Sequence, residues 1–576
     1  MWDFQMHFYV IAKSASERLF SIFDKELKPT IFLLGFLKKQ SNNVQLVCDE
    51  PDEFDFKSTD FQDVPLLAEQ LAVLSEDKKI ILGDPNSRIQ QADTVTDDAF
   101  REAILKVIQS KNYIRDKISF VSKSALINGY SVYVILELDR NTYDKYYSLT
   151  RDKIESYIRV DRSLLESAIK LFLKTCYETL LKANPGEDLS GAFDNSEELL
   201  RKSGEHFTYT ISFAAHTFGQ NNLFESLNVI SSLRYEGEGT LGGLIIAAKQ
   251  HSNISITVEL SQPVDLSEYR KIRKLLQTVG QSSSIISDGH QVFGLGEIIG
   301  HYNNKEESLF VISFLEHYHW LITHDGQPLM RCKYGIPGLV KEGIDRDRFH
   351  DICKRIFSIT KAQINKLLEV AMAATQQKHG ALLVISSGAK EEAERLKNQS
   401  FSIRPIPLTS QNVLSFSSID GAVLIDEQCV CHAIGVILDG QASIYGDASR
   451  GSRYNSAIRY VEFVKESSPC LVIVVSEDGM VDIIPNLRPQ IRRSLIDEHI
   501  KKLSEIFDQE TPDRKNFFKA YHFFEENAFY LSEHDCTVIN IQRKILEEKF
   551  KTGGGLNTIR PDLSPSPEMN DTYYIK

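Results

Sequence analysis

Four short apolar segments lie between residues 378 and 479, and polar or helical sequence separates them. They are Ala381–Ile385, Ala422–Ile425, Ala433–Leu438 and Leu471–Ser476. Their length and apolar, β-branched content are typical of buried strands. Helical patterns at Lys390–Lys397 and Gly451–Phe463 alternate with them. This alternation predicts an α/β domain built around a mixed sheet.

The length of the chain predicts further domains. It has 576 residues, whereas single cores stop growing near about 250–300 residues. Lys and Arg number 66 against 79 Asp and Glu, so the net charge is −13. An acidic chain of this kind makes nucleic acid an unlikely partner, because nucleic-acid-binding domains present basic surfaces.

The sequence also bears on compartment. The longest apolar runs, Ile31–Leu37 and Cys470–Val475, fall far below the roughly 18 residues of a membrane span. The first residues lack a basic segment followed by an apolar stretch, so no signal peptide is expected. The eight cysteines include no Cys-x-x-Cys pair, which favours buried, reduced thiols. We therefore expect a cytoplasmic protein without a membrane span.

Composition and periodicity divide the chain into five parts. Residues 1–205 are expected to form an N-terminal α/β regulatory region, and 206–345 a strand-rich, sensor-like domain. Residues 346–490 contain the α/β domain described above. Residues 491–552 are predicted to be a helical extension, and 553–576, which contain three prolines after three glycines, a flexible tail. The expected fold class is a multidomain α/β protein whose N-terminal region is α+β.

Some individual elements can be predicted from local patterns. Tyr130–Leu138 and Phe207–Phe213 are expected to be strands because of their β-branched and aromatic content. Ser163–Ala183 has the apolar spacing of an amphipathic helix. Arg346–Gln377 is expected to be one long helix leading into the α/β domain.

Polar motifs adjoin the strands of the α/β domain. Asp420-Gly421-Ala422 stands at the start of one strand, where a glycine lets the backbone approach a ligand closely. Gly451-Ser452-Arg453 opens a helix, whose free N–H groups and dipole favour phosphate. The Arg453 guanidinium can add bidentate phosphate contacts.

Acidic side chains complete this set of motifs. Ser476-Glu477 ends the last strand, where the Glu477 carboxylate can hold a divalent metal. Asp420 can activate a hydroxyl or share that metal. Together the motifs suit nucleotidyl transfer, in which positioning and charge neutralisation provide most of the catalysis. The alternative is a strand-capping aspartate and a solvated arginine loop without chemistry.

In their order and spacing, these motifs resemble the diadenylate cyclase domain. The resemblance covers about residues 360–485 and rests on a helix followed by GALLVI, then DGA, then a Gly-Ser-Arg loop opening a helix, then VVSE. It implies an enzyme that condenses two ATP molecules into cyclic di-AMP, assisted by Mn²⁺ or Mg²⁺. It also implies self-association, because two such domains face each other and each holds one ATP.

The resemblance assigns roles to individual residues. Asp420 would activate the ribose 3′-hydroxyl and, with Glu477, hold the metal ion. Leu438 would lie near the adenine. The nucleotide-binding set implied by the resemblance is Gly421, Ala422, Leu438, Gly451, Ser452, Arg453 and Ser476.

The phosphate loop departs from the family pattern. The family usually has Arg-His-Arg, whereas this chain has Arg453-Tyr454-Asn455. The loss of one charge-assisted phosphate contact costs about 1.5–3 kcal/mol, and Arg450 and Arg459 are candidates to replace it. Three hypotheses stay open: a cyclase with altered phosphate handling, a cyclase with another nucleotide preference, and a nucleotide-binding sensor or scaffold without turnover.

Three further motifs have ordinary explanations. Gly237–Gly243 fits G-x-G-x-x-G, but a strand follows it where a dinucleotide site requires a helix. His317 and His319 would share one face of a predicted strand, without a matching acidic or cysteine ligand. Ser287-Asp288-Gly289, coming after Gly243–Ala248, echoes the later order of motifs. This echo is compatible with an internal copy of the cyclase fold or with a distinct sensor domain.

Overall fold

The computed structural model forms two compact units, Met1–Val340 and Lys341–Lys576. It describes residues 1–37, 45–49, 56, 58–74, 85–112, 116–154, 158–187, 189–193, 195–215, 222–233, 242–279, 283–340, 343–377, 380–440, 451–476, 481–551 and 561–575. None of the described helices has a segment long and apolar enough to cross a bilayer.

The first half of unit one is built around one antiparallel sheet. Its strands are β1 Thr30–Leu37, β2 Gln45–Asp49, β3 Lys117–Val121, β4 Ala125–Ile127 and β5 Tyr130–Asp139. They run in the order β2-β1-β5-β3, and β4 also pairs with β5. The helices are α1 Gln5–Phe23, α2 Val64–Leu74, α3 Pro85–Asn112, α4 Arg140–Asp144, α5 Leu164–Leu180, α6 Leu189–Phe193 and α7 Ser196–Ala214. A short hairpin, β6 Lys153–Ile154 and β7 Ile158–Arg159, precedes α5.

The alternation of side chains along β1 explains why this sheet is covered on both faces. Ile31 and Leu33 belong to a core with α1 and α5, whereas Phe32 and Leu34 belong to a second core with α2 and α3. Successive strand residues point to opposite faces. A strand that is apolar at every position, as here, must therefore be buried on both sides.

The second half of unit one contains an eight-stranded sheet. Its strands are β8 Gly242–Ile246, β9 Ile254–Asp265, β10 Ser284–Ser287, β11 Gln291–Ile298, β12 Phe310–Glu316, β13 His319–His324, β14 Gln327–Lys333 and β15 Ile336–Gly338. The order is β15-β14-β13-β12-β8-β10-β11-β9. Two helices, α8 Leu223–Ser232 and α9 Tyr269–Leu276, accompany it. One continuous hydrophobic core contains residues of this sheet and of the first.

Unit two begins with the predicted α/β domain. Its helices are α10 Arg346–Ile356, α11 Lys361–Ala374, α12 Ala389–Arg395, α13 Ser410–Phe416 and α14 Ser452–Val464. Its strands are β16 Ala381–Ser386, β17 Phe401–Pro407, β18 Ala422–Ile425, β19 Val430–Val436, β20 Cys470–Val475 and β21 Val481–Ile484. The mixed sheet has the order β17-β19-β18-β16-β20-β21. β16 and β18 are parallel, and the other neighbours are antiparallel.

The C-terminal part of unit two is helical, as predicted. It contains α15 Arg493–Phe507, α16 Arg514–Glu526 and α17 Glu533–Lys551, together with β22 Ile491–Arg492 and β23 Tyr574–Ile575. β22 and β23 pair in parallel. The predicted fold class is therefore confirmed: an α+β N-terminal region, an α/β mixed-sheet domain and a helical extension.

Two predicted elements are wrong. Phe207–Phe213 belongs to helix α7, because Leu199, Leu200, Phe207 and Ile211 form one buried helical face. The predicted long helix Arg346–Gln377 is two helices. α10 ends at Ile356, and α11 restarts with a capping box in which Thr360 and Gln363 bond each other's backbone N–H groups.

Part of the predicted flexible tail, residues 561–575, contacts the helical extension, whereas residues 553–560 lie outside the described residues. Leu563 and Asn540 exchange two hydrogen bonds of 2.8 and 2.9 Å, and Asp562 pairs with Arg543 and Lys544. Tyr573 is 7% exposed. Residues 561–575 therefore pack on the helical extension. The other predicted domain boundaries, at 205/206, 345/346 and 490/491, stay predictions.

Candidate functional site at one edge of the mixed sheet

The predicted motifs meet at one edge of the mixed sheet. β16 and β18 begin at this edge, because they are parallel and pair Leu382 with Ala422. β20 ends there, because it is antiparallel to β16 and pairs Val475 with Ala381. β19 also ends there, with Val436 opposite Ala422. We call this border, formed by residues 380–381, 420–422, 436–438 and 475–476, the motif edge.

Strand spacing sets the scale of the motif edge. Gly380 and Ser476 lie one residue beyond the last paired positions of their strands, and Asp420 and Leu438 lie two residues beyond theirs, so four neighbouring strands each contribute one residue. Neighbouring strands lie roughly 4.8 Å apart. The edge is therefore on the order of 15 Å wide, comparable with an extended nucleotide.

Asp420 is exposed at the motif edge. Its Oδ1 accepts a hydrogen bond of 3.1 Å from the N–H of Gly421, which holds the carboxylate at the start of β18. Gly421 has a φ of 111°, and a Cβ atom there would lie 2.5 Å from the Gly435 carbonyl carbon. Only glycine fits, because β18 and β19 approach each other too closely for a side chain.

Helix α14 begins at the same edge. Its N-cap, Gly451, provides no side-chain cap for the first turn, and the N-terminus of a helix favours an anion through its dipole. Ser452 is exposed and Arg453 is half-buried. The Arg453 guanidinium lies against Gly380, with Nη1 3.0 Å from where a Cβ atom of Gly380 would stand. A cation is thereby located where β16 starts and β20 ends.

The two positions that depart from the family pattern have local contacts. Tyr454 is half-buried and packs, with Leu438, against the core beneath α14. The Asn455 side-chain amide donates to the Gly451 carbonyl at 3.3 Å. Neither position carries a cation, so Arg453 is the one cationic side chain of this three-residue motif.

Arg459 bends toward the start of α14. Its Nε donates to the Asn455 carbonyl at 3.1 Å, and its Nη2 donates to Ser456 Oγ at 3.2 Å. The guanidinium thus lies one turn below the helix start. Arg450, the other candidate for compensation, lies outside the described residues.

The sequence analysis missed an ionic cluster that fixes the loop after β19. Arg395 of α12 donates hydrogen bonds to the Asp439 carboxylate from both terminal guanidinium nitrogens, at 2.5 and 2.9 Å. It also donates to Glu392. Glu392 accepts a hydrogen bond of 2.8 Å from Tyr460 of α14. Hydrogen bonding to Arg395 lowers the pKa of Asp439 below its usual range. The sequence pattern gave no signal for this cluster, since Arg395 and Asp439 are 44 residues apart and Glu392 and Tyr460 are 68 residues apart.

The residues that could hold a metal are only partly described. Asp420 supplies one carboxylate at the motif edge, whereas Glu477 and the loop 441–450 lie outside the described residues. In the part of the chain that the structure describes, no cluster of three or more His, Cys, Asp or Glu side chains could hold a metal ion. The metal assignment to Asp420 and Glu477 stays a prediction.

The histidine motif does not lie on one strand face. β12 ends at Glu316 and β13 begins at His319, so His317 lies in the connecting turn, where Tyr318 has a φ of 57°. Most of the glycine-rich stretch before β8 lies outside the described residues. The seven cysteines whose side chains are described are all buried and form no disulfide, as expected.

Comparison with known families agrees with the geometry. The family described as "DisA bacterial checkpoint controller nucleotide-binding", named DAC, matches residues 369–487. Residues 369–487 form a DAC domain. The families "Probable sensor domain DACNG" and "Probable sensor domain DACNH" match residues 1–208 and 221–326. The chain thus has a DAC-type domain match at residues 369–487, preceded by matches to two probable sensor domains.

Two solved structures are similar to part of the chain. A hypothetical membrane spanning protein from Bacillus cereus is 24% identical, covers 23% of this chain with 63% of its own, and has a TM-score of 0.18. A double mutant of DacA from Staphylococcus aureus is 19% identical, covers 24% of this chain with 95% of its own, and has a TM-score of 0.19. This chain therefore spans less than two thirds of the Bacillus protein. No curated protein matches the chain.

Proposed function

We propose that the chain is a diadenylate cyclase, which condenses two ATP molecules into cyclic di-AMP under the control of its sensor-type domains. The observation that carries this proposal is the convergence of four motifs at the motif edge: Gly380 before β16, Asp420 before β18, Arg453 at the start of α14 and Ser476 after β20. The match of residues 369–487 to the DAC family supports it.

In the proposed reaction, Asp420 accepts the proton of a ribose 3′-hydroxyl. The freed oxygen forms a bond to the α-phosphorus of the ATP held by a facing domain, and the bond from that phosphorus to pyrophosphate breaks. Two such transfers give one cyclic di-AMP and two pyrophosphates. Arg453 and the N–H groups of α14 hold phosphate oxygens. Leu438 borders the adenine.

A divalent ion, Mn²⁺ or Mg²⁺, belongs to this proposal. Asp420 and Glu477 are the residues that would hold it, and it would neutralise phosphate charge. The exposed Asp420 carboxylate, with one oxygen bonded to Gly421, has a second oxygen suited to a hard cation.

A second candidate function is nucleotide binding without turnover. The observation that favours it is that Tyr454 and Asn455 pack against the core and the helix start, where the family has proton-bearing side chains. Such a protein would report nucleotide levels or serve as a scaffold.

One experiment separates the two candidates. The full chain is incubated with ATP and either Mn²⁺ or Mg²⁺, and cyclic di-AMP and pyrophosphate are measured by mass spectrometry and a coupled assay. A cyclase gives two pyrophosphates per cyclic di-AMP. Binding of a non-hydrolysable ATP analogue without product indicates the sensor or scaffold.

A further inference from the structure

Gly380 is the residue against which the Arg453 guanidinium rests. It directly precedes β16 and has a φ of 76°. A Cβ atom at this position would lie 3.0 Å from Arg453 Nη1 and 3.4 Å from Arg453 Cζ. Contacts this short force a neighbour to move. The place of the guanidinium thus depends on the absence of a side chain at residue 380.

The opposite side of Gly380 cannot give way. The same Cβ atom would lie 2.7 Å from the carbonyl oxygen of Val475, which belongs to β20 and is fixed by its pairing with Ala381. A Cβ atom at residue 380 therefore meets both a fixed backbone oxygen and the flexible end of the Arg453 side chain. The guanidinium, and not the sheet, has to yield.

We propose that Gly380 is a positioning residue for nucleotide binding: it admits the Arg453 guanidinium to the motif edge beside Ser476. This inference rests on the proposed function, in which Arg453 holds phosphate. A charge-assisted contact depends on donor–acceptor distance and alignment. A displaced guanidinium would still carry its charge but would lose the aligned contact.

The test is a double-mutant cycle on the full chain, with titration of a non-hydrolysable ATP analogue. Arg453→Ala is expected to weaken binding roughly 10- to 150-fold. Gly380→Ala is expected to weaken it roughly 10-fold with Arg453 present, and less than about 2-fold in the Arg453→Ala background. Equal losses in both backgrounds, or no loss with Arg453 present, would overturn the positioning role.

A matched control tests whether a left-handed Gly→Ala substitution elsewhere in the chain disturbs nucleotide binding by itself. Gly326, in the turn between β13 and β14, has a φ of 75° and no heavy atom within 4 Å of a Cβ atom there. Gly326→Ala therefore imposes the same left-handed strain without crowding, and analogue binding should stay unchanged. If Gly326→Ala weakens binding as much as Gly380→Ala, the loss is a general effect of a left-handed Gly→Ala substitution on the chain and not of crowding beside Arg453, and the inference is wrong.

Two further measurements keep the inference testable if Gly380→Ala folds poorly. Gly380→Asn tolerates a left-handed backbone better but has the same Cβ atom, so it should show the same coupling to Arg453. Without nucleotide, Arg453→Ala should raise the melting temperature of the Gly380→Ala chain by relieving the crowding. If Arg453→Ala alone leaves affinity unchanged, the phosphate role proposed for the site fails, and the positioning role with it.

Discussion

At the scale of single residues, the site depends on two glycines and two charges. Gly421 lets β18 and β19 approach, which holds Asp420 at the sheet border. Gly380 admits Arg453. The proposed reaction needs a carboxylate and a cation at one edge, and backbone positions without side chains make their approach possible.

The first prediction concerns Asp420. Asp420→Asn keeps the size of the side chain and removes its basicity, so cyclic di-AMP formation should fall by roughly 100-fold or more. Affinity for the ATP analogue should change little, because the amide oxygen can still accept the N–H of Gly421. Product formation near that of the unchanged chain would contradict the role of Asp420.

The second prediction concerns the pH dependence of the Arg395–Asp439 pair. Hydrogen bonding to Arg395 lowers the folded-state pKa of Asp439. A lowered carboxyl pKa contributes stability above the unfolded value, near 3.9, and this contribution is lost as pH falls through the folded value. Calorimetry should find the unchanged chain more stable than Asp439→Asn at pH 7 and at pH 5, with the difference shrinking only below about pH 4.

The comparison variant is Arg395→Gln, which removes the cation from the same pair. It should lower the melting temperature at pH 7 and raise the apparent pKa of Asp439 toward its ordinary value. If the stability difference between the unchanged chain and Asp439→Asn disappears between pH 7 and pH 5, the pKa of Asp439 is not lowered by Arg395.

At the scale of elements, the C-terminal segment acts as a strap across unit two. Tyr573 contacts the ring of Phe529 at 4.8 Å between centroids. The Arg355 guanidinium of α10 lies 4.4 Å above the Tyr573 ring and donates to the Arg488 carbonyl at 2.7 Å. Tyr573 therefore joins α10, which leads into the DAC domain, to the helical extension.

The third prediction follows from this strap. Tyr573→Ala removes a buried ring and should destabilise unit two by roughly 3 kcal/mol. Tyr573→Phe keeps the ring and its contact with Arg355, so its stability should stay close to that of the unchanged chain. Calorimetric unfolding of the three proteins makes the comparison. Equal stability of Tyr573→Ala and the unchanged chain would show that the tail does not hold the unit.

At the scale of the whole molecule, one strand order occurs twice. When the six strands β8 to β13 are matched in chain order with the six strands β16 to β21, equivalent strands are neighbours in both sheets. The parallel and antiparallel pairings are also the same. The register equates Leu244 with Leu382 and Ile285 with Ala422, so Ser283 stands where Asp420 does. The second sensor-type domain thus shares the strand order of the DAC domain without its carboxylate.

This repetition differs in detail from the echo seen in the sequence. Asp288-Gly289 follows β10, whereas Asp420-Gly421 precedes β18, so the two pairs lie at opposite edges. Between β11 and β12 the structure has a three-residue helical turn, Asn304–Glu306, where the DAC domain has α14. The shared strand order is compatible with the internal-copy hypothesis, the residues that suggested it are not equivalent, and residues 221–326 match a probable sensor domain.

The fourth prediction concerns assembly. In the proposed function, each DAC domain supplies one Asp420 and one helix start for phosphate, whereas joining two ATP molecules requires two such sites. Specific activity should therefore rise with protein concentration until the assembly saturates. Activity assays across a dilution series, with mass determined by light scattering at each point, make the test. Activity per chain that stays constant down to a demonstrated monomer would contradict a two-chain mechanism.

The sequence by itself determined the elements whose signals are local. The apolar strands Ala422–Ile425 and Leu471–Ser476, the helix after Gly451 and the order of motifs around them are all encoded by short patterns. Side-chain periodicity and glycine or capping residues specify such elements, because they depend on neighbours within a few positions.

Tertiary structure decided what depends on distant partners. Phe207–Phe213 has strand-like composition but is helical, because α7 buries one face in the core of unit one. The strand β17, which contains two prolines, forms at the sheet border by pairing with β19. Likewise, Gly380 meets Arg453 only because β16, β20 and α14 converge. Contacts across 44 or 73 positions, such as Arg395 with Asp439 or Gly380 with Arg453, leave no local pattern, since long-range packing fixes them.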